Sequence, residues 1–251
     1  MESKLLQPLN DEFDIVCVVS GPQDFGEPHL RARFHACGVN RRTCKWIGPP
    51  PPRVQEDFNR RFNRAVVMHG DAFLIASPSE YLAELKRLAA LQGTRNLPDH
   101  YFASLGSAEL IRAVMPAGAV NIWEAWMQEP LATQCFDAGQ PFLCDLQQRP
   151  ESASAGGPDY PSQLTHGTIV ANFGDGRPPR VATALEACQA MGFNLLSDAI
   201  PKSTLAPVLR GLPPGRLQKL CGNGMQLTVE AAWMLYCVMN VVRQDNRLPR
   251  S

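Results

Sequence analysis

The sequence predicts a mixed α/β chain, on three observations. Phe13 to Val19 (FDIVCVV) is a short, β-branched, almost wholly apolar run, the pattern of a strand buried on both faces. Arg33 to Val39 (RFHACGV) alternates well enough to be a second strand, paired with the first at a sheet edge across the turn-rich segment SGPQDFGEP. Ser79 to Leu91 carries Leu82, Leu85, Leu88 and Ala89 at helical spacing, with Ser79 placed to cap an amphipathic helix.

The remaining elements follow in order. Pro49 to Pro52 reads as a stiff, extended spacer that cannot join a helix, and a module boundary is expected between Asn40 and Arg53. Ser107 to Met115 is a weaker helical stretch, and Ile122, Trp123, Trp126 and Met127 follow at helical spacing as core. Glu151 to Pro161 is small, polar and rich in Gly and Pro, which marks a loop or a second boundary. Thr183 and Glu186 have capping-box spacing before a helix from Ala184 to Met191, and Gly192 stands where that helix stops. The last helix opens at Gly222-Asn223-Gly224 and is apolar nearly all round, with Ala231, Met234, Leu235, Val238 and Val242 on one face and Trp233 and Cys237 beside it. Such a helix must dock on a sheet, and the two early strands alone are too small to cover it.

The 251 residues, 45% apolar and 19% charged, suffice for one large or two modest domains, and exclude collagen, coiled coil and wholesale disorder. The longest apolar run, Ala231 to Met239, is shorter than a membrane span, and the first residues lack a signal-peptide stretch, so an intracellular chain with no membrane partner is expected. Eight cysteines without a C-x-x-C pair read as buried, reduced thiols, and five histidines lack ligand spacing, so no metal is expected. No Gly-x-Ser-x-Gly elbow or Walker loop supports a hydrolase.

The formal net charge of zero hides a segregation. Residues 29–64 hold nine basic side chains against two acidic, and 176–251 hold nine against four, whereas 1–28 and 65–175 are acidic. Arg41, Arg42, Lys45, Arg60 and Arg61 are therefore candidate DNA-binding residues, since cations that neutralise phosphates release counterions and carry non-specific affinity. A solvated basic face with no partner is the other reading of the same pattern.

Three segments, in this order, resemble the C-terminal half of the cytosine-5 DNA methyltransferase family. Gly21 to Val39 (GPQDFGEPHLRARFHACGV) is similar to the eighth conserved motif through Asp24, Gly26, Pro28, Arg31 and Arg33, with His29 departing from the family's glutamine. Arg180 to Phe193 (RVATALEACQAMGF) is similar to the ninth motif through Arg180, Thr183, Glu186, Gly192 and Phe193. Gly222-Asn223 before the last helix is like the tenth, although Gly224, Met225 and Gln226 replace the family's usual small residue, Val and Pro. The interval of about 140 residues between the first two is where the family keeps its target-recognition domain.

The resemblance implies a partial Rossmann-like methyltransferase sheet with an inserted target-recognition module. Its parts would be catalytic strands over residues 1–40, a recognition-like module over 41–176, and returning helices over 177–251. By carry-over, Arg33 would hydrogen-bond a flipped cytosine and an acid of the catalytic half, with Arg31 steadying that site. Arginines on an exposed strand edge are the alternative. Asn223 and Gly224 would hold the catalytic loop or the tail of S-adenosylmethionine, a plain helix N-terminus being as good a reading. Thr183 and Glu186 are assigned to capping and packing.

The family's chemistry adds a cysteine thiolate to C6 of the flipped base. Its Pro-Cys dipeptide, Glu-Asn-Val and F-x-G-x-G are absent from the sequence. The cofactor is therefore expected only with a missing half. The implied partners are DNA and a second chain carrying the N-terminal catalytic half, and the implied place is the nucleus in a eukaryotic host. The rivals are a catalytically dead DNA-binding or scaffolding remnant and a partner-binding domain with no nucleic-acid role.

Overall fold

A computed structural model describes residues 9, 11–92, 99–104, 107–151, 156–162, 168–196, 198 and 202–244. In chain order its elements are β1 (Phe13–Ser20), β2 (Arg33–Asn40), β3 (Cys44–Trp46), α1 (Pro51–Phe62), α2 (Pro78–Leu91), α3 (Asp99–Ser104), α4 (Ser107–Val114), α5 (Ala117–Met127), α6 (Pro130–Asp137), β4 (Phe142–Asp145), β5 (Gly156–Gly157), β6 (Ile169–Asn172), β7 (Arg180–Val181), α7 (Ala184–Ala190), α8 (Ala206–Arg210), α9 (Pro214–Asn223), α10 (Leu227–Asn240) and β8 (Val241–Arg243). The class is mixed α/β. The sheets among the described residues are small, with antiparallel ladders: β1-β2, β3-β8 and β5-β4-β6-β7.

Two compact units form. The first joins residues up to Gly26, Ala32–Val66 and the stretch from Leu227; the second joins Glu27–Arg31 and Val67–Gln226. Residues 41–66, assigned from sequence to a recognition module, thus fold with the hairpin. Residues 177–226, assigned to returning helices, fold with the middle of the chain.

In the first unit β1 and β2 pair in register from Phe13↔Asn40 to Ser20↔Arg33. Alternation sends Val16, Val18, His35 and Val39 to one face, where they are buried, while Val19 and Phe34 on the other face are exposed. The strand read as buried on both faces is therefore covered on one. The covering comes from α1 and α10, whose Val54, Phe58, Trp233 and Tyr236 form one core with Val16 and Val18. The turn after β1 is held by Asp24, whose carboxylate accepts from Ser20 Oγ and the Gly21 amide. Gly26 closes it at φ +81°, where a Cβ would lie 2.9 Å from the Ala65 carbonyl oxygen.

Two expectations in this unit are corrected. Pro51 and Pro52 are not a spacer outside the helix but its first residues. The first-turn amides of a helix lack intrahelical acceptors, so proline loses nothing there and its fixed φ suits the start. The last helix buries Val229, Trp233 and Tyr236 and leaves Met234 (60%), Leu235 (52%) and Val238 (74%) exposed. A helix read as apolar nearly all round and wanting cover on several sides thus leaves its aliphatic face open, because the bulkier aromatic side chains fill the space against the hairpin.

In the second unit the sheet β5-β4-β6-β7 lies beside the helices α2, α4, α5 and α6. Leu85, Ile111, Val114, Trp123, Trp126 and Phe142 share a core there. Trp123 Nε1 donates to Asn172 Oδ1, and Asn172 donates to the Phe142 carbonyl, so the buried polar atoms are partnered. Ser77, not Ser79, caps α2 in a capping box with Glu80, because Pro78 takes the first helical position. Thr183 and Glu186 form the expected box before α7, and Gly192 follows at φ +85°. Glu186 is fully buried; its carboxylate accepts from the amides of Ala76 and Thr183 and pairs with Arg180. Burial raises its pKa, more than the Arg180 charge offsets. A second cluster joins α7 and α9, where Cys188 Sγ lies 3.0 Å from Cys221 Sγ. No helix among the described residues is long and apolar enough to cross a membrane.

Candidate functional site

Residues 27–31 run along Tyr160 in the second unit. Tyr160 N donates to the Pro28 carbonyl (2.7 Å) and Leu30 N to the Tyr160 carbonyl (2.8 Å). His29, which stands at the family's glutamine position, is buried, with Nδ1 2.9 Å from the Ala190 carbonyl and its ring edge-on to Tyr160. This path delivers Arg31 into the interior of the unit, where only 4% of it is exposed. Its guanidinium donates to the Gly222 carbonyl at 2.8 Å and to the Gly224 carbonyl at 2.6 Å.

The acceptors lie at the end of a helix. Gly222 and Asn223 close α9, and Gly224 is its C-cap, with an amide that donates to the Leu220 carbonyl at 2.7 Å. The sequence expectation that Gly222-Asn223 opens the last helix is corrected: α10 begins at Leu227. The physical reason is that Pro213-Pro214 initiates α9 upstream, and two nearby glycines then favour termination. A helix C-terminus presents carbonyls and partial negative charge, which suits a guanidinium and does not suit a carboxylate. The residues around Asn223 and Gly224 therefore do not fit the tail of S-adenosylmethionine by backbone amides. Gln226 ties the following turn down by donating to Glu27.

Arg33 belongs to the first unit. It opens β2 in the first unit, is half-buried, and donates to the Ala32 carbonyl. Arg31 and Arg33 stand two apart, the spacing of one strand face, but β2 begins only at Arg33, so the strand alternation does not extend to Arg31.

The basic candidates all lie in the first unit. Arg41 pairs with Asp14 at 2.7 Å. Arg42 and Lys45 are exposed, Lys45 on β3. Arg60 and Arg61, in the last turn of α1, both pair with the buried Asp57, which also accepts from Tyr236 Oη at 3.0 Å. The Arg61 hydrogen bond, with those of Arg60 and Tyr236, outweighs burial and holds the Asp57 carboxyl at about 2. Arg60 and Arg61 are thus tethered to the core by one carboxylate, whereas Arg53 is exposed on the same helix.

Sequence reading did not single out two further features. Gln55 on α1 bonds the edge of β1, Oε1 accepting from Val19 N at 2.8 Å and Nε2 donating to Val19 O at 3.1 Å. Cys37 on β2 adjoins Cys237 on α10, whose thiol hydrogen bond lowers the Cys37 pKa to about 7. Neither has a local signal, since each depends on pairing elements distant in sequence. No group of three or more His, Cys, Asp or Glu side chains among the described residues could hold a metal ion, and His166 lies outside them. No family model matches the chain, and no curated protein matches it.

Proposed function

We propose that this chain is the C-terminal part of an S-adenosylmethionine-dependent DNA (cytosine-5) methyltransferase, contributing DNA recognition and completing the catalytic fold once an N-terminal half is present. The observation that carries the reading is a meeting of the first and third resembling segments: Arg31 bonds the carbonyls on both sides of Asn223. Two segments nearly 200 positions apart in sequence share one interaction, which chance likeness of short motifs does not require. The hairpin of the first segment also shares its core with α10, which follows the third. The Rossmann-like arrangement would arise when strands of the absent half extend the hairpin. In this reading Arg33 stands ready at the strand start, and Arg42, Lys45 and Arg53 supply phosphate contacts. The cofactor, its pocket and the nucleophile would come with the other half.

The second reading, a DNA-binding remnant without catalysis, draws on the same geometry. Arg31 spends donors on its own backbone, and Asn223 sits at a helix end that repels a carboxylate. The two readings separate when the chain is mixed with the N-terminal half of a cytosine-5 methyltransferase and methyl transfer to a cytosine-containing duplex is followed. Transfer that depends on both parts and falls on Arg33→Ala supports the enzyme. No transfer together with salt-sensitive duplex binding supports the remnant, and neither signal refutes both.

A further inference from the structure

We propose that Cys37 and Cys237 form a redox site, a dithiol that hydroperoxides oxidise to a disulfide joining β2 to α10. The inference is independent of the methyltransferase reading and concerns the first unit alone. Strand alternation places Cys37 on the covered face of the hairpin: its cross-strand partner is the buried Val16, and the buried His35 and Val39 flank it two positions away on either side. On α10, Cys237 follows Tyr236 and lies one turn beyond Trp233, the two rings that close this face. Both cysteines are half-buried against that core, and their thiols are hydrogen-bonded to each other. A second side-chain pair joins the same two elements, with His35 Nδ1 3.3 Å from Glu230 Oε2. Ala36 and Gly38 beside Cys37, and Val238 beside Cys237, are exposed, so the thiols lie at the rim of the core within reach of a small solute.

The two thiols are unequal. The hydrogen bond from Cys237 holds Cys37 at about 7 against the opposing effect of burial, while the same bond, burial and the charges of Cys37 and Glu230 push Cys237 up. Cys37 is therefore the thiolate nucleophile and Cys237 the protonated thiol that resolves it. The Cys37 sulfur attacks one oxygen of a hydroperoxide ROOH, the O–O bond breaks, ROH leaves with a proton from solvent, and Cys37 becomes a sulfenic acid. The Cys237 sulfur then displaces that hydroxyl, which departs as water with the Cys237 proton as the S–S bond forms. Two thiols lose two electrons, and one ROOH becomes ROH and water. The other thiol pair shows what the reaction needs. Cys188 and Cys221 lie 3.0 Å apart, sulfur to sulfur, but are only 2% and 3% exposed, and their hydrogen bond together with burial pushes Cys188 up. That pair has proximity without a thiolate or access, and is expected to stay reduced.

The test uses the full chain, first reduced and then treated with excess hydrogen peroxide at neutral pH. Remaining thiols are alkylated after unfolding, and the peptides are mapped by mass spectrometry without reduction. A peptide pair joined through Cys37 and Cys237 is expected, with Cys188 and Cys221 both alkylated. The new bond closes a loop of some 200 residues, so oxidation is expected to slow hydrogen exchange of the β1 and β2 amides at least about ten-fold, and dithiothreitol to reverse it. In Cys237→Ser the Cys37 sulfenic acid has no resolving thiol and is expected to accumulate as a dimedone adduct at least about ten-fold above wild type, whereas Cys37→Ser gives no cross-link at Cys237. Should either variant fail to fold, the wild-type cross-link map decides. Free Cys37 and Cys237 thiols after peroxide, a bond between Cys188 and Cys221 in their place, or dimedone adducts spread evenly over Cys17, Cys37 and Cys44 would overturn the inference. Success or failure of methyl transfer with an N-terminal half leaves each of these readouts unchanged, so the two proposals fail separately.

Discussion

Removing the Arg31 guanidinium should loosen one loop by a calculable amount. Two hydrogen bonds from a charged donor are each worth about 1.5–3 kcal/mol. Gly222 and Gly224 are half-buried, so water can partly replace the lost donor. Halving the sum for that replacement gives about 1.5–3 kcal/mol for Arg31→Ala. In hydrogen exchange under native conditions this is a roughly 12- to 150-fold acceleration, at about 1.4 kcal/mol per decade, confined to the amides from Gly224 to Gln226 and the last turn of α9. Arg31→Lys keeps the charge but loses the planar fork that reaches both carbonyls, and should recover about half of the free energy. Acceleration below about five-fold, or spread evenly over the second unit, would refute the claim that this side chain clamps the turn.

Asp57→Asn should destabilise the first unit by about 1–2 kcal/mol near pH 7, a value discounted for the exposure of Arg60 and Arg61. Because the folded carboxyl titrates at about 2, below an unfolded value near 3.9, that stability is present above about pH 4 and fades as acid approaches pH 2. Acid unfolding curves of both proteins, converging at the low end, check this. Cys37 should alkylate fastest among the cysteines at neutral pH, and Cys237→Ala should slow it by restoring a higher thiol pKa, while Cys144, driven up by complete burial, stays unlabelled; peptide mass spectrometry reads all three. In duplex binding, Arg42→Ala with Lys45→Ala should flatten the salt slope by about 0.9 per lost phosphate contact, and Arg60→Ala with Arg61→Ala by less, because Asp57 already neutralises that pair. Thr183→Ala should cost about 1–2 kcal/mol in thermal unfolding of the second unit, through loss of the α7 cap.

Local chemistry was legible where a few neighbouring residues decide it. The strands at 13–20 and 33–40, the capping box at Thr183 and the stop at Gly192 each depend on side chains within a few positions. The short strands β4 and β6 went unseen, since FLCD and IVAN are too brief for periodicity and take their shape from each other. Pro51-Pro52 misled because proline forbids a helix interior and favours a helix start, and position decides between them. The outward face of α10 misled in the same way: a helix apolar all round does not disclose which side a partner will take. For the candidate site, motif spacing brought Arg31 and the Gly-Asn turn into one hypothesis, and the contact between them is present. What spacing could not disclose is the polarity of that turn, which follows from a helix that begins at Pro214.

The interleaving of the two units carries a consequence for synthesis. The hairpin emerges from the ribosome well before Trp233 and Tyr236, which roof Val16 and Val18. A lone hairpin is marginal in water, so through most of translation those valines stay bare while the second unit can condense by itself. Premature stops anywhere between Val66 and Leu227 would release chains with an unroofed hairpin, prone to clumping and marked for degradation. Synthesis of α10 is thus the step that roofs the hairpin of a nascent chain.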